Sequence, residues 1–511
     1  MTRWLVVLLL AACQAPLPPD WHQQVIYLAL TDRFADGDAS NDNATGCFDR
    51  AAPRGVHGGD LAGLRAHLDY VQDLGATAVW ITPPNRQAGP DGQCGYHGYW
   101  IDYTDPSDEA LEPELGSAAD LVALVADLHA RGMRFVLDMV VNHAGDRARI
   151  VRQHPSWFHD PKTCGTSIDT PRSPSGALRG GNAGAEPDLA IINCPLGTHP
   201  DFAQEQPEVA AYLSAFEARM AARYSVDAIR MDTAKHVRPD YFAHSFFPAL
   251  RAARPNVWSI AEIFDGSSAR VFVPYLDAGF DSAFHYPLHG ALVDGIAKGG
   301  PIGRIAEVVQ ATIEALGEAR AQSLVLFVDN HDVPRFATQA GARPDAELRA
   351  RLLAAYTLLF TLPGIPQLYY GDELGMLGGA DPDNRRDLPA WASDPIARAA
   401  PHPGEAVAGS DIIYRRVQRL AQLRTTVRSL ATGHYRELAR DPIYAFERGD
   451  GVDRRIVIAN GATAASATVP IDLPDGTTLR DDLDGPTITV ANHAISLALP
   501  PHETAIYRIA P

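Results

Sequence analysis

The stretch VDAIRMDTAKH, Val226 to His236, opens like a buried strand and ends polar. Alternation along a strand puts Ala228, Arg230 and Asp232 on one face and Ile229 and Met231 on the other. One face packs and the other carries charge. Taken alone, such a segment reads as a strand end meeting solvent, so its meaning depends on whether other strands end the same way. WSIAEIF reaches Glu262, LVLFVDNHD reaches His331 and Asp332, and RFVLDMVVNH reaches Asn142 and His143 at the ends of apolar runs.

These runs belong to a longer alternation. Strand candidates are Val25–Ala29, Ala78–Thr82, Arg134–Met139, Ala228–Asp232, Val257–Glu262, Ser282–His285, Leu324–Asp329 and Gln367–Tyr370. Amphipathic runs such as LAGLRAHLDYVQDLG, AADLVALVADLHARG and EVAAYLSAFEARMAARY separate them, with apolar positions at helical spacing. Eight strands alternating with helices predict an α/β fold, a closed (β/α)8 barrel of the TIM type. In such a barrel the C-terminal strand ends form one rim, where the active site lies. Asp232, Glu262 and Asp332 are thereby predicted to meet at one mouth.

Two regions break the alternation. From Ala144 to Gln204 the chain is rich in Gly, Pro and Asn and is too long for an ordinary βα loop; it predicts an inserted domain. After about Ala431 come short alternating runs, IVIAN, ATVPIDL, ITVANHAISLAL and TAIYRIA, separated by turns such as GDG and PDG, which predict an antiparallel β-sandwich. The expected organisation is residues 1–20 as signal and tether, 21–143 and 205–430 as barrel, 144–204 as insertion and 431–511 as the β domain.

The chain has 511 residues, 21% charged and 46% apolar, and a net charge of −18. That charge excludes a phosphate backbone as partner, because nucleic acid needs a basic surface. The N-terminus carries Arg3, an apolar run from Trp4 to Leu10 and small residues up to Cys13, too short to span a bilayer and typical of export. Leu10-Ala11-Ala12-Cys13 resembles the bacterial lipobox, whose cysteine becomes the lipidated first residue, and the Pro-rich Gln14–Asp20 reads as a tether. The expectation is an exported lipoprotein, periplasmic or at the cell surface; the competing reading is plain cleavage and secretion. Cys47, Cys94, Cys164 and Cys194 then remain, and four cysteines in an exported chain predict two disulfides with three connectivities. Proximity along the chain favours Cys47–Cys94 and Cys164–Cys194. No CxxC pair occurs, which argues against metal thiolates.

Three carboxylates in one cleft are costly unless compensated or used. Retaining glycoside hydrolysis uses them. One carboxylate attacks the anomeric carbon while a second, kept protonated, gives its proton to the leaving oxygen and later activates water. Arg230, on the same strand face as Asp232, would hold that group ionised. Glu262 has no basic neighbour in its own strand and is the better acid.

The motifs DMVVNH (Asp138–His143), AIRMDTAKH (Ala228–His236), AEIF (Ala261–Phe264) and FVDNHD (Phe327–Asp332) stand in the order of the alpha-amylase family, glycoside hydrolase family 13. With YHGYW and GIPQLYYGDE the resemblance covers essentially residues 21–511, closest to three-domain alpha-amylases. It implies Asp232 as nucleophile, Glu262 as acid/base and Asp332 as the residue that grips sugar hydroxyls. His97, His143 and His331 would hydrogen-bond the sugar, with Arg230 among them and Tyr99 stacking beneath. Lys235 and His236 would contact the glucan on the leaving-group side. Arg386 matches a family arginine near the nucleophile, with Arg385 as the alternative, and Asp138 reads as structural.

The resemblance also implies calcium. Its principal site would use Asn142, Asp201 (with Asp188 as rival) and the His236 carbonyl. TDRFADGDASND followed by HGGD resembles a second calcium site of cyclodextrin-acting relatives, with Asp36, Asp38, Asn41, Asp42, Gly58 and Asp60 as ligands; its bland reading is an acidic turn. Cyclising relatives place an aromatic residue four positions before the domain B aspartate, where Gly197 stands, and extend further at the C-terminus. Hydrolysis of starch, glycogen or maltodextrins by a monomer is therefore expected. The alternatives are cyclomaltodextrinase, neopullulanase or glucanotransferase activity and, in another class, a non-catalytic glucan-binding or assembly protein.

Overall fold

The eight apolar runs form one parallel sheet because each is buried on both faces, as a barrel strand must be. In the computed structural model, which describes residues 20–90, 92–103, 110–163, 189–483 and 485–510, they are β1 (Ile26–Ala29), β2 (Ala78–Ile81), β3 (Arg134–Met139), β4 (Ala228–Met231), β5 (Trp258–Ala261), β6 (Ser282–Ala283), β7 (Val325–Phe327) and β8 (Ile365–Tyr369). Their order is β6-β5-β4-β3-β2-β1-β8-β7. A parallel bridge between Phe284 and Val325 joins the two end strands and closes the ring. The register places Asp138 of β3 beside Arg230 of β4, and Arg230 beside Ile260 of β5.

Several strands are trimmed by a residue at an end, and two, β6 and β7, stop two residues before their expected C-terminal ends. Beyond β6, His285 leaves the ladder to cap helix Tyr286–Leu292, its side chain accepting from Leu288 N–H. Beyond β7, the Asp329 carboxylate accepts from Phe336 N–H at 2.6 Å and turns the chain across the rim. In both places a polar side chain satisfies backbone donors more locally than the sheet could.

The outer helices follow the apolar periodicity. Ala118–Ala130 begins at a capping box between Ser117 and Asp120, and Pro207–Arg223 begins with proline at its first turn. Between β3 and Pro207 the described residues hold only short helical turns, Arg149–Gln153, Pro155–Trp157, Pro161–Thr163 and Leu189–Ile192. Bridges pairing His143 with Asp201 and Phe158 with Phe202 tie this excursion to the end of β3.

From Tyr435 onward a six-stranded sheet and a two-stranded one face each other over a second core that includes Ile443, Ile456, Ile458, Val469, Leu479 and Ile495. Cys47 and Cys94 form the expected disulfide. Cys194 is also disulfide-bonded; Cys164, Asp188 and the segment with Cys13 lie outside the described residues. No described helix is long and apolar enough to cross a membrane.

Candidate active site

β4 points Arg230 inward, where it is 1% exposed. Its Nη1 donates to Asp138 Oδ1 and Oδ2 at 2.9 and 3.2 Å and to Asp232 Oδ1 at 2.6 Å. Its Nη2 lies 2.8 Å from Glu262 Oε1 and 3.9 Å from Asp332 Oδ2. One guanidinium thus gathers carboxylates from β3 and from the chain beyond β4, β5 and β7. The three acids predicted to meet do meet, around one cation.

Position sets the character of each. The Glu262 carboxyl is pushed up to about 8, mainly by burial; Arg230 opposes this, and the charges of Asp232 and Asp332 add to it. Sequence reasoning saw no basic neighbour for Glu262 within its own strand, but the next strand supplies one. Burial still outweighs it, which suits a proton donor. Thr233 adopts φ +47°, an uncommon left-handed conformation for a β-branched residue. There its N–H donates to Glu262 Oε2 at 2.7 Å and its hydroxyl to Asp232 Oδ2 at 2.9 Å. Asp332 is the open member, with 30% of its side chain exposed against 9% for Asp232 and 7% for Glu262.

Asp138 sits beneath the cluster, raised to about 7 by burial against the pull of Arg230, and accepts from Trp80 Nε1 at 3.2 Å and Tyr99 OH at 2.8 Å. That is the structural post expected of it. Tyr99 stacks on His331 with ring centroids 5.3 Å apart, its hydroxyl 2.6 Å from His331 Nε2. His97 Nδ1 accepts from Tyr99 N–H at 3.1 Å, and His143 Nε2 lies 3.2 Å from the Tyr99 carbonyl. Burial lowers all three histidines, His143 to about 4, and neighbouring cationic or imidazole groups lower them further. They are neutral near pH 7 and can hydrogen-bond a neutral sugar without adding charge. Lys235 Nζ pairs with Asp265 Oδ2 at 2.9 Å, and His236 Nδ1 faces the Ile191 carbonyl at 3.2 Å.

Arg386 is a correction. Its guanidinium turns outward to Asp383 at 2.7 Å and the Gly404 carbonyl at 2.9 Å. Arg385 is the arginine that reaches the site: Nη2 is 3.4 Å from Asp332 Oδ1, and Nε donates to the His331 carbonyl at 2.8 Å. The tight turn Asp383–Arg385 ends between the two residues and sends them to opposite sides. Sequence reasoning also missed Tyr286 and Asp265. Asp265 is followed by a glycine and two serines, as a turn residue often is, and Tyr286 opens a helix like any buried aromatic.

Both expected calcium sites contain oxygens that face no donor. The Asn142 side-chain oxygen faces Asp201 Oδ1 at 3.2 Å and the His236 carbonyl at 3.0 Å, so three oxygens converge; a cation, or the amide turned end for end, reconciles them. The residues present fit calcium. In the N-terminal turn, Asn41 Oδ1 and Asp42 Oδ1 are buried without hydrogen-bond partners. A Cβ on Gly58 would lie 2.6 Å from Asp42 Oδ1, so only glycine leaves that oxygen room. The other members are engaged: Asp60 caps helix Leu61–Ala66 through Gly63 N–H at 2.6 Å, Asp38 binds Ser40, and Asp36 pairs with Arg50. Among the described residues no three His, Cys, Asp or Glu side chains form a metal cluster, so both sites depend on amide or carbonyl oxygens.

Comparisons with known proteins identify the family and the fold. The model of the alpha-amylase catalytic domain matches residues 28–402. The beta/alpha-amylase of Paenibacillus polymyxa is 29% identical over 96% of this chain, and the chain spans 38% of that relative's length. Neopullulanase 2 of Thermoactinomyces vulgaris is 28% identical over 96% of this chain and 78% of its own. The crystal structure of an Anoxybacillus alpha-amylase superimposes with a TM-score of 0.81 at 27% identity, covering 96% of this chain and 99% of that one. With its barrel, its four ordered motifs and this match over most of its length, the chain belongs to the alpha-amylase family.

Proposed function

We propose that the protein is a retaining, endo-acting α-1,4-glucan hydrolase. In the first step Asp232 attacks the anomeric carbon while Glu262 gives its proton to the glycosidic oxygen; the C–O bond to the leaving glucan breaks and its electron pair stays on that oxygen. In the second, Glu262, now ionised, takes a proton from water as that water displaces Asp232. Asp332 grips sugar hydroxyls, Tyr99 stacks beneath the ring, and His97, His143 and His331 complete its hydrogen bonds. Lys235 and His236 meet the departing chain, and Arg385 steadies Asp332.

One observation carries the reading. Asp232 and Glu262 sit on the two terminal nitrogens of one guanidinium. This supports the close pairing, about 5 Å, of a retaining mechanism over the wider spacing that admits a water.

In this reading residues 21–143 and 205–430 form the catalytic domain, 144–204 an inserted domain and 431–511 the C-terminal β domain. Asn142, Asp201 and the His236 carbonyl would hold calcium, which when bound supplies positive charge that fixes the insertion against the barrel. The disulfides favour an exported enzyme; we read it as a monomer, anchored through Cys13 if the lipobox is processed.

A second reading, activity on cyclodextrins or transfer to sugar hydroxyls, is favoured by the N-terminal turn with its unpartnered oxygens at Asn41 and Asp42. Timed digestion of soluble starch with products separated by size decides between them. Linear maltooligosaccharides that shorten with time are the expected outcome; cyclodextrins or transfer products as the main output would overturn it.

A further inference from the structure

Glu262 has a contact that the mechanism above does not use. Its Oε1 accepts from Tyr286 OH at 3.3 Å. That hydroxyl in turn accepts from Asn330 Nδ2 at 3.4 Å, while Asn330 Oδ1 accepts from the Asp332 backbone N–H at 2.8 Å. A buried chain of hydrogen bonds therefore runs from the backbone of Asp332 to the carboxyl of Glu262. The Tyr286 ring is boxed edge to face by Phe264 at 4.4 Å and Phe327 at 5.0 Å and is 4% exposed, so its hydroxyl has one direction to point.

Resting on the hydrolase reading, we infer that Tyr286, held by Asn330, is a positioning residue for the acid/base: its hydroxyl donates to Glu262 and stabilises the carboxylate that forms as Glu262 releases its proton to the leaving group. The charge appears on a carboxyl whose side chain is only 7% exposed, where a donor to an ionised group counts for most. Arg230 and Thr233 N–H also face this carboxyl, and both bind it from the β4 side. Asp232 and Asp332 repel its charge. Tyr286 is the donor on the opposite side, from β6. Its own proton stays in place throughout; only the proton of Glu262 moves.

Tyr286→Phe removes the hydroxyl and keeps the boxed ring. With maltodextrin the variant should lose about tenfold in kcat/KM. With α-maltotriosyl fluoride, whose departing fluoride needs little protonation, it should lose less than twofold. The same contact favours the ionised form of Glu262. With the Glu262 carboxyl at about 8, kcat/KM of the native protein should fall as pH rises through that region, and this alkaline limb should move upward in the variant. In a Glu262→Gln background the tyrosine substitution should change residual turnover by less than twofold. Equal losses on both substrates, or a limb that stays in place, would overturn the assignment. Absence of glucan hydrolysis by the native protein would instead sink the hydrolase reading itself.

Discussion

Two buried arginines of the barrel, Arg230 and Arg335, each lie among several carboxylates, and the two clusters differ in what they leave open. Arg335 lies 3.2 Å from Asp372 Oδ1, with Asp329 in the same cluster, and its guanidinium sits 3.9 Å over the Tyr369 ring. The rest of its reach goes to backbone: Nη1 donates to the Tyr370 carbonyl at 2.7 Å and Nε to the Asn384 carbonyl at 3.2 Å. Asp372 Oδ2 and Asp329 Oδ1 accept from backbone N–H groups of Tyr369 and Phe336. Burial raises both acids, Asp329 to about 6 and Asp372 well above the carboxylate range, and both lie buried away from solvent. Around Arg230 the carboxylates are gathered mainly by side chains, with the Thr233 N–H on Glu262 as a backbone donor, and Asp332 opens to solvent. Buried charge alone therefore says little; an oxygen left facing a cleft is what makes it chemical.

Glu262→Gln probes the open cluster and should cost roughly 10²–10⁴-fold in turnover while the protein stays folded; a non-catalytic binding protein would show no such loss in any glucan assay. Arg335→Met probes the sealed cluster. It breaks a buried pair and should cost about 3–5 kcal/mol in denaturant unfolding, with turnover per folded molecule kept within a factor of about two to three. A sealed-cluster variant that stayed stable but lost turnover would erase the distinction.

The smallest effect concerns the two arginines after β8. Arg385→Ala removes a cation next to Asp332 and should lower kcat/KM for maltodextrin by about tenfold. Arg386→Ala removes an exposed pair with Asp383 and a bond to the Gly404 carbonyl, both away from the carboxylate cluster, and should change it less than twofold. The reverse order would return the role to Arg386.

How much was legible beforehand follows the same division. Strands β1 to β5 and β8, and the convergence of Asp232, Glu262 and Asp332, could be read because a buried strand has a strict two-residue period and a barrel sends its C-terminal ends to one rim. The ends of β6 and β7 could not, since His285 and Asp329 exchange sheet pairing for local hydrogen bonds that leave no periodic trace. Arg385 and Arg386 are adjacent in a turn, where no period says which one faces inward. Tyr286 was hidden for another reason: an aromatic residue opening a buried helix looks the same whether its hydroxyl is idle or bound to a catalytic carboxyl. At the N-terminal turn, the resemblance implied six candidate ligands, but Asp60 went to a helix cap and Asp36 to Arg50, partners that a matching motif cannot reveal.

The central claim is that Asp232, held by Arg230 beside Glu262, forms a covalent bond to the sugar. Its most direct test is to treat the enzyme with a maltosyl fluoride fluorinated at C5, which slows hydrolysis of the intermediate, and to locate the label by peptide mass spectrometry. The account predicts one glycosyl group per molecule, on Asp232. A label on another residue, or no label together with a first-formed product of inverted anomeric configuration, would contradict it.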